Sequence, residues 1–115
     1  MVLDRELRFV AANAAYLAVT MRRWDELAGK HVFDMFPDPG ENGRKLKASF
    51  ERVLETGQPD TLAYLPYAIA VPENEGGGLA YRYWTAVHTP LPGPDGRTAY
   101  VVQNTVDVTD MVRAE

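Results

Sequence analysis

The chain has 115 residues and a formal net charge of −4, a length that predicts one domain burying roughly two-thirds of its unfolded surface. The acidic balance, without a stripe of Lys or Arg, argues against contact with nucleic acid or with an anionic membrane. The absence of cysteine excludes a disulfide framework, a thiolate metal site and a cysteine nucleophile. The absence of cysteine fits a cytoplasmic location. No apolar run is long enough to span a bilayer.

The first third of the chain predicts short elements. Residues 2–12 indicate two short strands around a polar turn. Asn13 is a residue type that caps helices, and it precedes an expected helix over 14–22. Two shorter helices are expected over 24–28 and 32–36, because a glycine and a proline follow them.

The longest helix is predicted from Glu41 to Thr56. Its apolar residues recur at the spacing of one buried helix face; they are Leu46, Phe50, Val53 and Leu54. The next segment, 61–71, is expected to be a strand. Pro66 lies inside it and lacks the N–H that a central strand needs, so we expect this strand at an edge of the sheet.

The last third of the chain predicts a β-hairpin, with arms over 79–89 and 98–108 and a turn over 90–96. Neither face of this hairpin is polar throughout, so both faces need cover. We expect the chain's own helices on one face, and a flanking helix or a second copy on the other. Two strands, then helices, then three strands predict an α+β fold with helices on one face of an antiparallel sheet.

Several segments in this order resemble a PAS domain of the type found in bacterial sensor histidine kinases. They are residues 3–13 (LDRELRFVAAN), 27–37 (LAGKHVFDMFP), Tyr83-Trp84, Thr89-Pro90, Asp95-Gly96 and Asp107-Val108-Thr109. The last triplet resembles the motif by which such domains pass a signal to a following helix. The resemblance implies a five-stranded antiparallel sheet in the order 2-1-5-4-3, with a pocket between the long helix and the inner face.

Alignment with the flavin-binding, light-sensing branch of that family implies two faces for the hairpin. The expected ligand-binding set is Phe50, Leu54, Tyr64, Trp84, His88, Val101, Gln103 and Thr105. The expected outer set, for a homodimer or a flanking helix, is Tyr81, Tyr83, Val87, Tyr100, Val102 and Val106. Ala86 is expected to face inward with Trp84. Trp84 is either a platform for a ring or a filler of the pocket, and His88 is either a hydrogen-bonded core residue or a ligand contact.

The cofactor is left unknown. Photochemistry through a flavin–cysteine bond is excluded because the chain has no cysteine, and non-covalent flavin is disfavoured by Trp84 and Ala86. Haem is disfavoured because the long helix carries no histidine. His31 is expected to cap the helix that follows it.

We expect no catalytic centre and no metal site. Ser49, the only serine, lies on the long helix, and neither histidine nor Asp34 is expected to have a serine partner. The favoured function is a regulatory sensor module that relays a small-ligand or interface signal through Asp107 and Thr109. It would act on a downstream output domain in a longer signalling protein. The alternatives are a ligand-free dimerisation module and a small isomerase or hydrolase with His88 as base.

Overall fold

The computed structural model describes residues 1–114, and for Tyr64, Tyr67, Arg113 and Ala114 it describes the backbone alone. The order of its elements agrees with the α+β prediction. They are β1 (Val2–Asp4), β2 (Phe9–Ala11), α1 (Ala14–Thr20), α2 (Trp24–Leu27), α3 (Val32–Met35), α4 (Glu41–Thr56), β3 (Asp60–Ala70), a 3-10 turn (Glu73–Glu75), β4 (Leu79–Pro92), β5 (Thr98–Asp107) and α5 (Thr109–Ala114). Within residues 1–114, none of the helices is both long and apolar enough to cross a bilayer.

The strands form one five-stranded antiparallel sheet in the order β2-β1-β5-β4-β3, the order that the resemblance implies. β3 lies at an edge, as Pro66 indicated, and Pro66 is paired with Tyr83 of β4. The edge position explains the proline, because an edge strand needs hydrogen-bond donors on one side only.

Local signals explain where the helices begin and end. The side chain of Asn13 accepts a 2.9 Å hydrogen bond from the Tyr16 amide and caps α1. This helix ends at Thr20, earlier than predicted, because Met21 adopts a left-handed conformation with φ of 57°. Helix α4 has the predicted bounds and ends at Gly57, whose φ of 67° suits glycine. His31 caps α3 as expected, since its Nδ1 accepts a 3.1 Å hydrogen bond from the Phe33 amide.

The core lies between α4 and one face of the sheet. Leu46, Phe50 and Val53 form the buried stripe of α4, and the predicted periodicity of this helix is therefore confirmed. Trp84 of β4 and Val101 of β5 are buried on the sheet side of the same hydrophobic cluster. Burial of these large side chains contributes most of the favourable free energy of folding.

The hairpin turn is shorter than predicted. β4 continues to Pro92, and β5 begins at Thr98, so the reversal occupies 93–97, where the Gly93 amide donates to the Arg97 carbonyl at 2.8 Å. Pro90 and Pro92 are accommodated in the last part of β4. Because β3 begins opposite His88, this part of β4 is paired with β5 alone. A missing N–H is tolerated where a strand has a single neighbour.

Candidate functional site

A cavity of about 70 Å³ lies between the helices and the inner face of the sheet. Helix α1 contributes Tyr16 and Thr20 to its wall, and α4 contributes Leu46 and Phe50. The sheet contributes Trp84, Ala86, Gln103 and Thr105. A single water needs roughly 10–15 Å³ measured in the same way, so the cavity has room for a small organic molecule.

The predicted binding residues divide into two groups. Phe50, Trp84, Gln103 and Thr105 line the cavity. Leu54, His88 and Val101 were predicted to line it as well and do not: His88 and Val101 are fully buried, and Leu54 packs against the hydrophobic core. The side chain of Tyr64 lies outside the described residues.

Trp84 forms part of the cavity wall, and space remains beside it. Its indole is almost fully buried. Neither of the two histidines lines the cavity. The described part of the wall therefore offers no imidazole nitrogen of the kind that ligates haem iron.

A hydrogen-bonded chain of four side chains, buried except at its Asp60 end, lies beside the cavity. The oxygen Oγ of Ser49 is 2.5 Å from Asp60 Oδ2 and 2.7 Å from His88 Nδ1. The other ring nitrogen of His88, Nε2, is 2.9 Å from Gln103 Nε2. The expectation that neither histidine has a serine partner was therefore wrong. We call Asp60, Ser49, His88 and Gln103 the polar chain.

The electrostatics of the polar chain have identifiable causes. Arg52 donates to Asp60 Oδ2 at 2.9 Å, and hydrogen bonds from Arg52 and Ser49 lower the pKa of the Asp60 carboxyl. Burial lowers the pKa of His88 to about 4, against an ordinary value of 6.5. At neutral pH the chain therefore joins an ionised carboxylate to a neutral imidazole.

The polar chain does not have the arrangement of a nucleophilic triad. In a triad the histidine lies between the carboxylate and the serine, whereas here Ser49 lies between Asp60 and His88. Both ring nitrogens of His88 already have protein partners. No nitrogen of His88 is left for a substrate proton, which argues against the isomerase or hydrolase alternative.

The base of α5 is tied to β4. The Tyr83 carbonyl accepts from the Val108 amide at 2.8 Å, and the Tyr83 amide donates to Thr109 Oγ1 at 2.9 Å. Asp107 Oδ1 accepts from both the amide and the hydroxyl of Thr109. Thr109 is the first residue of α5, and the carboxylate of Asp107 accepts from its amide, which has no acceptor within the helix.

Residues 1–113 match the PAS fold family. The chain belongs to this family. No curated protein matches the chain.

Solved structures share the fold of this PAS domain. A sensory box sensor histidine kinase from Vibrio cholerae superposes with a TM-score of 0.71 at 17% identity, covering 94% of this chain and 79% of that one. The Drosophila melanogaster Cycle PAS-B domain, solved with bound ethylene glycol, gives 0.70 at 15% identity and covers 92% and 95%. The Vibrio cholerae VqmA dimer, described among LuxR-type receptors, gives 0.69 at 24% identity and covers 96% and 45%. These identities support likeness of fold alone.

The outer face of this PAS domain carries apolar side chains, as the alignment implied. Tyr81 is 65% exposed and Val106 is 62% exposed, and Val87 is exposed to a smaller degree. The remaining members of the predicted outer set, Tyr83, Tyr100 and Val102, are half-buried.

The polar chain of this PAS domain had a signal in the sequence that the interpretation missed. Ser49 lies on the same helix face as Leu46, Phe50 and Val53, at the spacing of the buried stripe. A hydroxyl on a buried helix face must find a partner, because an unpaired buried polar group is costly. His88 is the inward-facing polar residue of β4, and it was the partner to expect.

Proposed function

We propose that this PAS domain is the sensor module of a bacterial signalling protein, with a histidine kinase as the favoured class. It binds a small molecule in the cavity and passes the resulting change to α5 and a downstream output domain. The observation that carries this proposal is the largely apolar cavity with one buried amide, that of Gln103, in its wall. Apolar pockets with few convergent polar groups are typical of small-molecule sites.

A short structural path connects the cavity to α5. Trp84 lines the cavity, and the preceding residue, Tyr83, holds the base of α5 through its amide and carbonyl groups. Trp84 is also paired with Asp107 on the neighbouring strand, β5. A ligand that favours one position of Trp84 therefore biases the position of the helix base, as any ligand with different affinities for two states shifts their populations.

Enlarging Ala86 to leucine is expected to abolish ligand capture. Ala86 lines the cavity and is almost fully buried, so the larger side chain occupies the space that a ligand needs, at a stability cost of about 1–3 kcal/mol. Native mass spectrometry and the absorption spectrum of protein purified from cells would detect a captured molecule. Ala80→Leu is the matched control, because Ala80 lies on the same strand and outside the cavity wall. Identical ligand content in all three proteins would contradict a binding role for the cavity.

Replacing Asp107 with alanine is expected to uncouple the sensor from its output while leaving the fold intact. The change removes the oxygen that accepts from the Thr109 amide and hydroxyl. Loss of such a cap costs about 0.5–2 kcal/mol and is confined to the helix start. Amide hydrogen exchange should accelerate in α5 and remain unchanged in α4. Asp107→Asn keeps an acceptor oxygen and should retain coupling. A normal output response from full-length protein carrying Asp107→Ala would rule out the relay role.

A second function, homodimerisation through the outer sheet face, is favoured by the exposure of Tyr81 and Val106. Large apolar side chains gathered on one face often mark an interface. Dimerisation is compatible with ligand binding. If the cavity binds no ligand, dimerisation is the function that we propose for the domain.

Introducing arginine at Tyr81 or Val106 is expected to weaken dimerisation at least roughly tenfold, because a charge would be buried in the interface without a partner. Sedimentation velocity over a concentration series measures the dissociation constant. Val10→Arg is the control, since Val10 is similarly apolar and exposed on the edge strand β2, which β1 separates from the strands that carry Tyr81 and Val106. A wild-type domain that stays monomeric at all concentrations would remove the dimer from consideration.

A further inference from the structure

The amide of Gln103 is a buried polar group through which the cavity can select a ligand. Gln103 is 7% exposed and lines the cavity, and its nitrogen Nε2 is 2.9 Å from His88 Nε2. The two ends of this amide differ chemically, since the nitrogen donates hydrogen bonds and the oxygen accepts them. Which end faces the cavity therefore decides which ligands can bind.

The positions of the hydrogens along the polar chain determine the orientation of the Gln103 amide. The ionised Asp60 carboxylate has no hydrogen to give, so the single hydroxyl hydrogen of Ser49 is donated to Asp60. Ser49 Oγ can then only accept from His88, which places the ring hydrogen of the neutral imidazole on Nδ1. The bare Nε2 of His88 must accept, and it accepts from the amide nitrogen of Gln103.

The carbonyl oxygen of Gln103, Oε1, is left without a donor. No described side chain donates to it, whereas each fully buried side-chain polar atom of the described residues has a partner. Oε1 must therefore retain access to the open space of the cavity that Gln103 lines. Burying such an acceptor under an apolar ligand leaves it unpaired, which is costly.

The rest of the wall limits the ligand further. Its side chains include no Asp, Glu, Lys, Arg or His among the described residues. The N-terminal ammonium of Met1, which also lines the cavity, donates to the main-chain carbonyl of Gln103 at 2.9 Å, and burial lowers its pKa and so favours its neutral form. The hydroxyl of Thr20 already donates to the Tyr16 carbonyl at 2.8 Å. Apart from the hydroxyl groups of Tyr16, Thr20 and Thr105, the side chains of the wall are apolar, and Gln103 is its one side-chain amide among the described residues.

We propose that the ligand of this cavity is a small, neutral, mostly apolar molecule with an N–H or O–H donor that binds Gln103 Oε1. The proposal rests on the proposed sensor function and narrows it to a chemical class, such as a phenol, a pyrrole or a cyclic amide. Ser49 and His88 are positioning residues in it: they do not touch the ligand, and they set which end of the amide does.

The first test is made on the wild-type domain without any ligand. Nitrogen-15 NMR of the imidazole distinguishes a ring hydrogen on Nδ1 from one on Nε2. The expected result at pH 7 is the Nδ1–H form of His88. The Nε2–H form would overturn the proposal, because Gln103 would then present its nitrogen to the cavity.

The second test uses phenol and toluene as probes, since they have similar shapes and only phenol has a donor. The ratio of their dissociation constants is measured by NMR titration in wild type and in Gln103→Met. Loss of the acceptor is expected to shift this ratio by about tenfold against phenol. Comparing ratios between proteins cancels the different hydrophobicity of the two probes. Ser49→Ala should shift the ratio in the same direction and move His88 toward the Nε2–H form, although Gln103 is still present.

The outcomes separate this proposal from the sensor function. If both probes bind with the same ratio in wild type and Gln103→Met, the cavity binds ligands without donor selection, and only the narrower proposal fails. If neither probe binds the wild-type domain, both fail. If Gln103→Met does not fold, the tautomer of His88 in the wild-type domain still decides the orientation of the amide.

Discussion

Replacing Phe50 with alanine is expected to lower the free energy of unfolding by about 3–5 kcal/mol, the range for deleting a buried aromatic ring. Phe50 is 0% exposed on α4. Its ring stacks on His88 with centroids 4.3 Å apart and contacts the ring of Phe33 with centroids 6.4 Å apart. The side chain also lines the cavity, so its removal enlarges an existing space that the surrounding residues cannot easily close.

Urea denaturation followed by circular dichroism measures this effect. Leu91→Ala is the control, because Leu91 is 44% exposed near the end of β4 and its truncation should change stability by less than about 0.5 kcal/mol. Equal losses in the two variants would mean that α4 does not pack on the sheet through Phe50.

Lowering the pH from 7 to 4 is expected to reduce the free energy of unfolding by about 3 kcal/mol through His88 alone. The unfolded chain takes up a proton at this residue near pH 6.5, whereas burial lowers the pKa in the folded state to about 4. Between these values the unfolded state binds more protons, so stability falls as the pH falls. The contribution of His88 levels off below pH 4, where both states are protonated. The pKa of Asp60 is also lowered, so its stabilising contribution is lost at still lower pH.

Denaturant unfolding at successive pH values measures this loss. His88→Gln should remove most of the dependence between pH 6.5 and 4. His31→Asn should retain it, because an asparagine at the cap position of α3 can still accept the amide hydrogen bond. Direct titration of the imidazole by NMR makes the test independent of any variant. A midpoint for His88 near 6.5 in the folded domain would contradict the burial effect.

The regular elements could be predicted from the sequence because they depend on neighbours a few residues away. The stripe containing Leu46 and Phe50 identified α4, Asn13 marked the start of α1, and Gly57 marked the end of α4. Alignment with the light-sensing branch of the family assigned Trp84 and Gln103 to the inner face, and both side chains are buried. Boundaries were less certain where a single residue changes its backbone conformation, as Met21 does at the end of α1.

The composition of the site depended on tertiary structure. Ser49 and His88 are 39 positions apart in the chain, and their hydrogen bond exists only because α4 crosses the sheet at the level of His88. Thr109 Oγ1 similarly accepts from the amide of Tyr83, which is 26 positions away in the chain.

By itself, the sequence of this PAS domain determined which elements form and which face of α4 is apolar, since periodicity and backbone preference are local properties. Tertiary packing alone decided that a cavity remains beside Trp84 and that the polar chain reaches its wall at Gln103. The physical reason is that a hydrogen bond or a cavity forms or is lost when the distance between two elements remote in the chain changes by a few tenths of an ångström.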